Sequence, residues 1–172
     1  MVLLFLFFNL DYELFNYIHS EWKSPGLDYL NTSIEILSSP SSILTAHFFL
    51  FSFGKEKERS VGRLALFAGG TSTLLSVGIK GVFNRERPKR ESSRWDSSFP
   101  STHSAQSMTL ATIYGNKYPK LKIPLYTFSF LVGFSRIYSG EHYPSDVVLG
   151  WFLGYLTGRL FLRYGEKIIN LP

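Results

Sequence analysis

Long apolar stretches alternate with short charged blocks along this chain of 172 residues. The run from Leu64 to Ile79 contains sixteen residues without a charge. With the flanking Val61 and Val82, it approaches the roughly 20 residues that a membrane-spanning helix requires. This run therefore predicts the clearest membrane span of the chain.

Four further stretches are apolar, although each is marginal by itself. Residues 28–54 are interrupted at Ser38, Ser39 and Pro40, which predicts a kinked first span. Shorter apolar segments follow at 103–116, 123–135 and 147–162. The pattern predicts an all-α fold, a polytopic membrane helix bundle with about five to six spanning helices. We expect residues 1–172 to form a single integral-membrane domain, because no long Pro, Gly and Ser linker divides the chain.

The N-terminal segment is apolar but short. It has neither a basic region before the apolar run nor a small-residue cleavage site after it, so it is not typical of a signal peptide. Acidic residues interrupt it before Trp22. We therefore expect residues 1–27 to form a helix lying in the membrane interface.

Three glycines recur at intervals of four residues in the last apolar segment, at Gly150, Gly154 and Gly158. In a helix this spacing places all three on one face. Such a face lets the backbone of a neighbouring helix approach closely.

Charge and cysteine content narrow the classes of protein. Cysteine is absent, which excludes disulfides, thiolate zinc sites and a cysteine nucleophile. A net charge of +5 and a pI near 9.4 are compatible with nucleic acid, an anionic membrane surface or phosphorylated substrates. A basic nucleic-acid-binding protein therefore stays open at this point, although the sixteen uncharged residues before the basic loop argue against it.

The distribution of basic residues predicts an orientation. If all five segments span a membrane, one side carries nine Lys and Arg residues: Lys55, Lys57, Arg59, Arg63, Lys117, Lys120, Lys122, Arg163 and Lys167. With Lys80, Arg87 and Arg136 set aside as candidate ligands of an anionic substrate, the other side carries four: Arg85, Lys89, Arg90 and Arg94. The positive-inside rule makes the first side cytoplasmic.

Cleavage of a phosphate ester without a metal requires fixed cations, a nucleophile and an acid that protonates the leaving oxygen. The sequence KGVFNRERP offers Lys80 and Arg87 as phosphate ligands. In FPSTHSAQS, Ser101 or Thr102 can cap a helix whose N–H groups bind an anion. His103 lies in the first turn of that helix and is a candidate proton donor.

A third cluster, SRIYSGEHYPSD, adds Arg136 as a further phosphate ligand. It also contains His142 and Asp146, four residues apart at a predicted helix start. A carboxylate that accepts one imidazole N–H makes the other ring nitrogen the better nucleophile. All three clusters fall on the same side of the predicted spans, so one pocket can contain them.

These clusters resemble the type 2 phosphatidic acid phosphatase superfamily of lipid phosphatases. The resemblance rests on Lys, six residues, Arg-Pro; Pro-Ser-x-His; and Ser-Arg, five residues, His, three residues, Asp. It covers about residues 60–165, the expected catalytic core. Two features depart from the family pattern: Thr102 stands where glycine is usual, and a further spanning helix near the N-terminus is missing or shortened.

The resemblance implies how the enzyme works. His142 would carry a phosphohistidine, Asp146 would activate it, and His103 would donate the proton. Contacts to phosphate would come from Lys80, Arg87, Ser101 and Arg136, with backbone N–H groups near Thr102. Neither a metal nor a cofactor would take part. Soluble relatives such as vanadium haloperoxidases share this site, but they are longer chains.

The expected partners are a phosphorylated membrane lipid and the bilayer itself, not nucleic acid. The short length and the motif spacing resemble bacterial members of the family, which implies a bacterial inner membrane. Because the other side of the bundle is predicted to be cytoplasmic, we expect the site to face the periplasm or the cell exterior. Bacterial relatives act on undecaprenyl diphosphate, phosphatidylglycerol phosphate or the 1-phosphate of lipid A. The basic loop favours a bulky, multiply anionic lipid such as lipid A, with head-group contacts from Arg85, Lys89, Arg90 and Arg94.

Overall fold

In a computed structural model of the chain, the backbone is described for residues 2–169 and the side chains for residues 9–165. This part of the chain is helical and contains no strand, so the predicted all-α fold is confirmed. Three short turns of other helix types lie at Tyr17–Glu21, Arg94–Asp96 and Pro119–Leu121. The α-helices are α1 (Val2–Asn16), α2 (Pro25–Leu37), α3 (Pro40–Phe53), α4 (Glu56–Phe83), α5 (Thr102–Lys117), α6 (Lys122–Tyr138) and α7 (Pro144–Ile169).

A serine followed by a proline begins both α2 and α3. The hydroxyl of Ser24 accepts a hydrogen bond from the N–H of Leu27, and that of Ser39 accepts one from Ser42. Proline suits the first helical position because its missing N–H would have no partner there. The two helices bend by 52° at the break between them, which confirms the predicted kink.

Helix α4 ends at a left-handed residue. Asn84 has a φ of 45°, and its N–H donates to the carbonyl oxygen of Lys80 at 2.9 Å. Asparagine is one of the few residues that adopt this conformation readily. Pro88, which could also end a helix, lies four residues farther along the chain and plays no part in this helix end.

Helix α5 lies at the centre of the bundle and packs against α4, α6 and α7. Its Ile113 is buried in an apolar core with four residues of α4: Val61, Leu64, Ala65 and Ala68. Helices α2 and α3 lie outside this group, against α6 and α4 respectively. The ends of the four packed helices therefore lie close together at each end of the bundle.

Glycines let α7 lie directly against α5. A β-carbon at Gly150 would lie 2.5 Å from the carbonyl oxygen of Ser101, and one at Gly154 would overlap that of Ala105. Both obstacles are backbone atoms, which cannot move without shifting the helix. The predicted close approach is therefore confirmed, and it fixes the start of α5 against the start of α7.

One helix in the described part of the chain, α4, is long and apolar enough to cross a membrane by itself. The bent pair of α2 and α3 also qualifies if it is counted as one broken span. Five to six spans thus stay a prediction from the sequence.

The last turns of α1 pack against the bundle. Phe15 is 1% exposed and contacts Ile137 and Val147, while Asp11 is 5% exposed. A helix lying in the membrane interface would keep its polar face in water. The burial of Asp11 was therefore not anticipated.

We predict that Gly154→Ala destabilises the protein, because its methyl group would collide with the backbone of α5. Overpacking of this kind costs about 1–3 kcal/mol. Gly78→Ala in α4 is the matched control, since a β-carbon there has no atom within 4 Å. Thermal unfolding midpoints in detergent should fall for Gly154→Ala and not for Gly78→Ala. Equal midpoints would contradict the packing described here.

Candidate active site

The three sequence clusters meet at one end of the bundle. The N–H of Ser101 donates to the carbonyl oxygen of Asp146 at 3.0 Å, which joins the starts of α5 and α7. The N–H groups of Glu141 and His142 donate to the carbonyl oxygen of Arg136 at 3.1 and 3.2 Å. The end of α6 and the loop after it are thereby fixed beside the same helix starts.

His142 lies at the centre of this end and is 2% exposed. Its Nε2 is 3.2 Å from Nη1 of Arg87. Because a guanidinium can only donate, Nε2 must be the unprotonated ring nitrogen, and Nδ1 carries the proton. That tautomer turns the lone pair of Nε2 toward the arginine and Nδ1 toward Asp146.

The environment of His142 keeps its ring neutral. Burial lowers the pKa of the imidazole from 6.5 to about 4, the charges of Arg87 and Lys80 act in the same direction, and Asp146 opposes them. At neutral pH, Nε2 is therefore unprotonated, as a nucleophile must be, and its lone pair accepts from Arg87 in the empty site.

The carboxylate of Asp146 is fully buried and already holds several donors. Its Oδ1 accepts from Arg85 Nη1 at 2.6 Å, and its Oδ2 accepts from the N–H of Tyr143 at 2.8 Å and from the hydroxyl of Ser98. The distance from Oδ2 to Nδ1 of His142 is 3.7 Å, which is longer than a hydrogen bond. Nδ1 has no hydrogen-bond partner among the described residues. Asp146 thus faces the histidine without contacting it closely.

Three arginines surround one carboxylate oxygen of Glu141. Its Oε2 lies 2.8 Å from Arg87 Nη1, 3.2 Å from Arg90 Nε and 4.0 Å from Arg136 Nη2. The same Nη1 of Arg87 lies against Nε2 of His142. Arg87 therefore contacts both the anionic carboxylate and the lone pair of the histidine through one nitrogen.

A second carboxylate joins two of these arginines. Asp96 accepts from Arg87 and from Arg90, each at 2.7 Å. Burial alone would raise the pKa of Asp96, but the hydrogen bonds from Arg90 and Arg87 lower it below its ordinary value. Glu141 and Asp96 thus neutralise charge that would otherwise repel within the cluster.

The other proposed phosphate ligands have partners in the protein. The ammonium of Lys80, 4% exposed, donates to the carbonyl oxygens of Ser97 and Ser98. The hydroxyl of Ser101 accepts from the N–H and the hydroxyl of Ser104, as expected for a helix cap. Thr102 is the first residue of α5, where helix N–H groups lack acceptors within the helix.

His103 faces a cavity of about 270 Å³ between α3, α5 and α6. Arg136 and Arg87 are near enough for their charges to act on its ring. The cavity is mostly apolar and continues along α5 to Tyr114, whose hydroxyl is hydrogen-bonded to His47. His103 therefore lies between the arginine cluster and an apolar space.

The four residues considered for head-group contacts lie in different surroundings. Arg90 is beside Arg87 and its side chain is 43% exposed. Lys89 and Arg94 are exposed, with the ammonium of Lys89 5.9 Å from the ring of Phe15. Arg85 instead points to Asp146 and Asp11. Of these four residues, only Arg90 belongs to the cluster of arginines around Glu141.

Sequence reasoning missed the acidic partners of the cations. Glu141 and Asp96 lie within or next to the motifs and could have been noticed by their position. Glu35, which accepts from Arg136 at 3.2 Å, and Asp11 lie far away in the sequence. Nothing in their local sequence marks them as part of the site.

Comparisons with known proteins agree with the family resemblance of the sequence motifs. Undecaprenyl-diphosphatase BcrC of Bacillus subtilis is 29% identical, with 92% of this chain and 86% of the relative covered. Phosphatidylglycerophosphatase B of Bacillus subtilis is 32% identical, with 85% and 79% covered. Lipid A 1-phosphatase of Porphyromonas gingivalis is 29% identical over 88% of this chain but only 35% of its own length.

Two solved structures are similar over most of their length. The crystal structure of Aquifex aeolicus LpxE superposes with a TM-score of 0.75 and 32% identity, covering 88% of this chain and 94% of that one. A transmembrane PAP2 type phosphatidylglycerolphosphate phosphatase from Bacillus subtilis gives 0.72 and 28%, covering 95% and 88%. The family model described as PAP2 superfamily matches residues 62–169, which contain all three motif clusters. The chain therefore belongs to the PAP2 superfamily.

Proposed function

We propose that this protein is a membrane lipid phosphatase that removes a phosphate monoester or a diphosphate from a lipid head group through a phosphohistidine on His142, without a metal. The observation that carries the proposal is the position of the Glu141 carboxylate. It is surrounded by Arg87, Arg90 and Arg136, and the same Nη1 of Arg87 that binds it also contacts Nε2 of a neutral histidine. A phosphoryl group in its place would have its oxygens held by cations and its phosphorus beside a nucleophile.

In the first step, Nε2 of His142 attacks phosphorus as the bond from phosphorus to the lipid oxygen breaks. The arginines balance the charge on the phosphoryl oxygens during this step. His103, which is protonated when the anionic substrate lies beside it, gives its proton to the departing lipid oxygen. The proton on Nδ1 of His142 stays in place, facing Asp146. The products are a phosphorylated histidine and a lipid alcohol, or a lipid monophosphate if the substrate is a diphosphate.

In the second step, water attacks the phosphorus of the phosphohistidine. His103, now neutral, accepts a proton from this water, and the phosphorus–nitrogen bond breaks. Inorganic phosphate leaves, and both histidines return to their starting forms. The apolar cavity on the far side of His103 is consistent with a lipid leaving group on that side.

For the substrate, we favour a bulky lipid with several anionic groups, such as lipid A carrying its 1-phosphate. Arg90 supports this choice because it is partly exposed and adjoins the proposed phosphate position, where it can bind a second anion. Lipid A 1-phosphatase of Porphyromonas gingivalis is among the relatives. Undecaprenyl diphosphate and phosphatidylglycerol phosphate are the alternatives, since two other relatives are named for activity on them.

We further propose that the protein lies in a bacterial inner membrane with this site facing the periplasm or the cell exterior. The site is at the end of the bundle opposite the basic loop at residues 55–59, which the positive-inside rule places in the cytoplasm. The relatives are bacterial, and one of the similar structures is described as transmembrane. Membership of this family favours the phosphatase over a nucleic-acid-binding protein.

We predict that His142→Gln abolishes turnover, because the amide of glutamine cannot replace the imidazole as nucleophile. His103→Gln should slow the reaction by about 10²–10⁴-fold for an alkyl phosphate, whose leaving group requires protonation. The loss should be much smaller for p-nitrophenyl phosphate, whose leaving group is stable as an anion. Phosphate release with purified enzyme in detergent measures both effects.

The covalent intermediate provides the decisive control. Rapid quenching with a radiolabelled substrate should trap a phosphoenzyme that is stable in alkali and labile in acid, and His142→Gln should form none. Turnover should survive treatment with a chelator. A label on a serine, or activity that is lost to the chelator and restored by a divalent ion, would contradict the mechanism.

We predict that Glu141→Gln increases the affinity for orthovanadate, a tetrahedral anion, by several-fold. The native carboxylate competes with such an anion for Arg87 and Arg90, and the neutral amide competes less well. Glu86→Gln is the matched control, since Glu86 is an exposed carboxylate of the neighbouring loop. Inhibition constants measured at one pH test this prediction. Weaker inhibition of Glu141→Gln than of wild type would show that the carboxylate supports the site instead of occupying it.

We predict that Arg90→Ala raises KM about 10-fold for a substrate with two phosphates, which corresponds to the loss of one charge-assisted contact. The effect on a lipid monophosphate should be smaller. A panel of lipid A, undecaprenyl diphosphate and phosphatidylglycerol phosphate measures this difference and identifies the preferred lipid. Arg94→Ala is the matched control, since Arg94 is an exposed arginine of the same loop, and its KM values should stay near those of the wild type. Unchanged KM values for Arg90→Ala on every lipid would rule out the head-group role.

A further inference from the structure

A buried carboxylate on the N-terminal helix is linked to the site, although the chemistry above does not use it. Asp11 is in α1 and is 5% exposed. Its Oδ1 accepts from the N–H of Ser145 at 2.8 Å, and its Oδ2 accepts from the hydroxyl of Ser145 at 2.6 Å. Oδ2 also accepts from Arg85 Nη2 at 2.7 Å. Both oxygens of Asp11 are therefore engaged beside the residue that precedes Asp146.

Arg85 joins Asp11 to Asp146. While its Nη2 donates to Asp11, its Nη1 donates to Oδ1 of Asp146 at 2.6 Å and to the hydroxyl of Ser145 at 2.8 Å. The guanidinium carbon lies 4.0 Å from the centre of the Tyr143 ring, which supports its plane. One arginine thus bridges two buried carboxylates with different arms.

The bridge determines which oxygen of Asp146 is available to the histidine. An isolated arginine and carboxylate prefer a fork in which two N–H groups bind both oxygens. Here one arm is held by Asp11, so Arg85 binds only Oδ1 of Asp146. Oδ2 receives donors from the protein backbone and Ser98, and it is the oxygen nearest to Nδ1 of His142.

The charges of Asp11, Arg85 and Asp146 indicate that this ion-pair group does more than hold α1 against the bundle. Two carboxylates and one guanidinium are a costly combination to bury, because their attraction does not balance the lost hydration. Apolar contacts already attach the same helix, since Phe15 packs on Ile137 and Val147. Asp11 therefore adds an electrostatic constraint to a helix that apolar contacts also hold.

We propose that Asp11 is a positioning residue for the active site. By holding Nη2 of Arg85, it prevents the arginine from taking both oxygens of Asp146 and keeps Oδ2 directed at Nδ1 of His142. Asp11 touches neither substrate nor reacting atoms. The proposal rests on the proposed function, in which Asp146 orients His142.

The test is Asp11→Asn, compared with Glu13→Gln, an exposed carboxylate of the same helix. Without the charge at residue 11, Arg85 should bind both oxygens of Asp146. We expect kcat to fall roughly 10- to 100-fold, the loss typical of a small displacement of a catalytic group. KM and the thermal midpoint should stay near their wild-type values, as should all three quantities in Glu13→Gln.

A double variant separates positioning from support of the fold. If Arg85 is harmful once Asp11 has lost its charge, Arg85→Gln in the Asp11→Asn background should recover part of kcat. If Asp11 only attaches α1, the second substitution should lower activity and stability further. Partial recovery supports the proposal, and a further loss overturns it.

A milder variant covers the case in which Asp11→Asn does not fold. Ser145→Ala removes one donor to Asp11 and leaves every charge in place, so it should lower kcat by a smaller factor at constant KM. An unchanged kcat in Ser145→Ala, or in a folded Asp11→Asn, would overturn the inference. Turnover by His142→Gln would instead refute the proposed function, so the two failures are distinguishable.

Discussion

The organisation of the site depends on the repulsion among cations gathered at one end of a helix bundle. Arg87, Arg90 and Arg136 lie so close together that an anion must separate them. In the structure that anion is Glu141, assisted by Asp96. The carboxylates and the buried histidine supply acceptors for these cations. Each cation without a partner would raise the free energy of the folded state.

Close packing of helices gives this group of charges its geometry. The first turn of α5 carries His103, and the first turn of α7 carries Asp146. Since Gly150 and Gly154 bring these helices into backbone contact, the distance between the two starts is set by main-chain atoms and not by flexible side chains. A site assembled from distant parts of the chain thereby obtains a rigid support.

Much of the fold and the convergence of the motifs could be predicted from the sequence. The acidic partners of the cations could not, for a physical reason. The helical segments, the kink near Ser39 and the glycine face follow from local patterns, and the structure confirms them. The convergence of the three motifs could be predicted because all three lie on the same side of the predicted membrane spans. The partners of the cations could not be predicted, because an ion pair such as Arg85 with Asp11 joins residues 74 positions apart and leaves no periodic signal.

The carboxylate of Glu141 has a consequence for the empty enzyme. Since the arginine cluster already contains an anion, a phosphate that binds there as proposed would exchange with a tethered group instead of entering a cluster of cations without an anion. Such a site attracts small anions from solution only weakly, because its field is compensated at long range. In the proposed mechanism, selectivity for a membrane-bound ester over free inorganic phosphate would then derive from the apolar part of the ligand, which a tethered carboxylate cannot imitate.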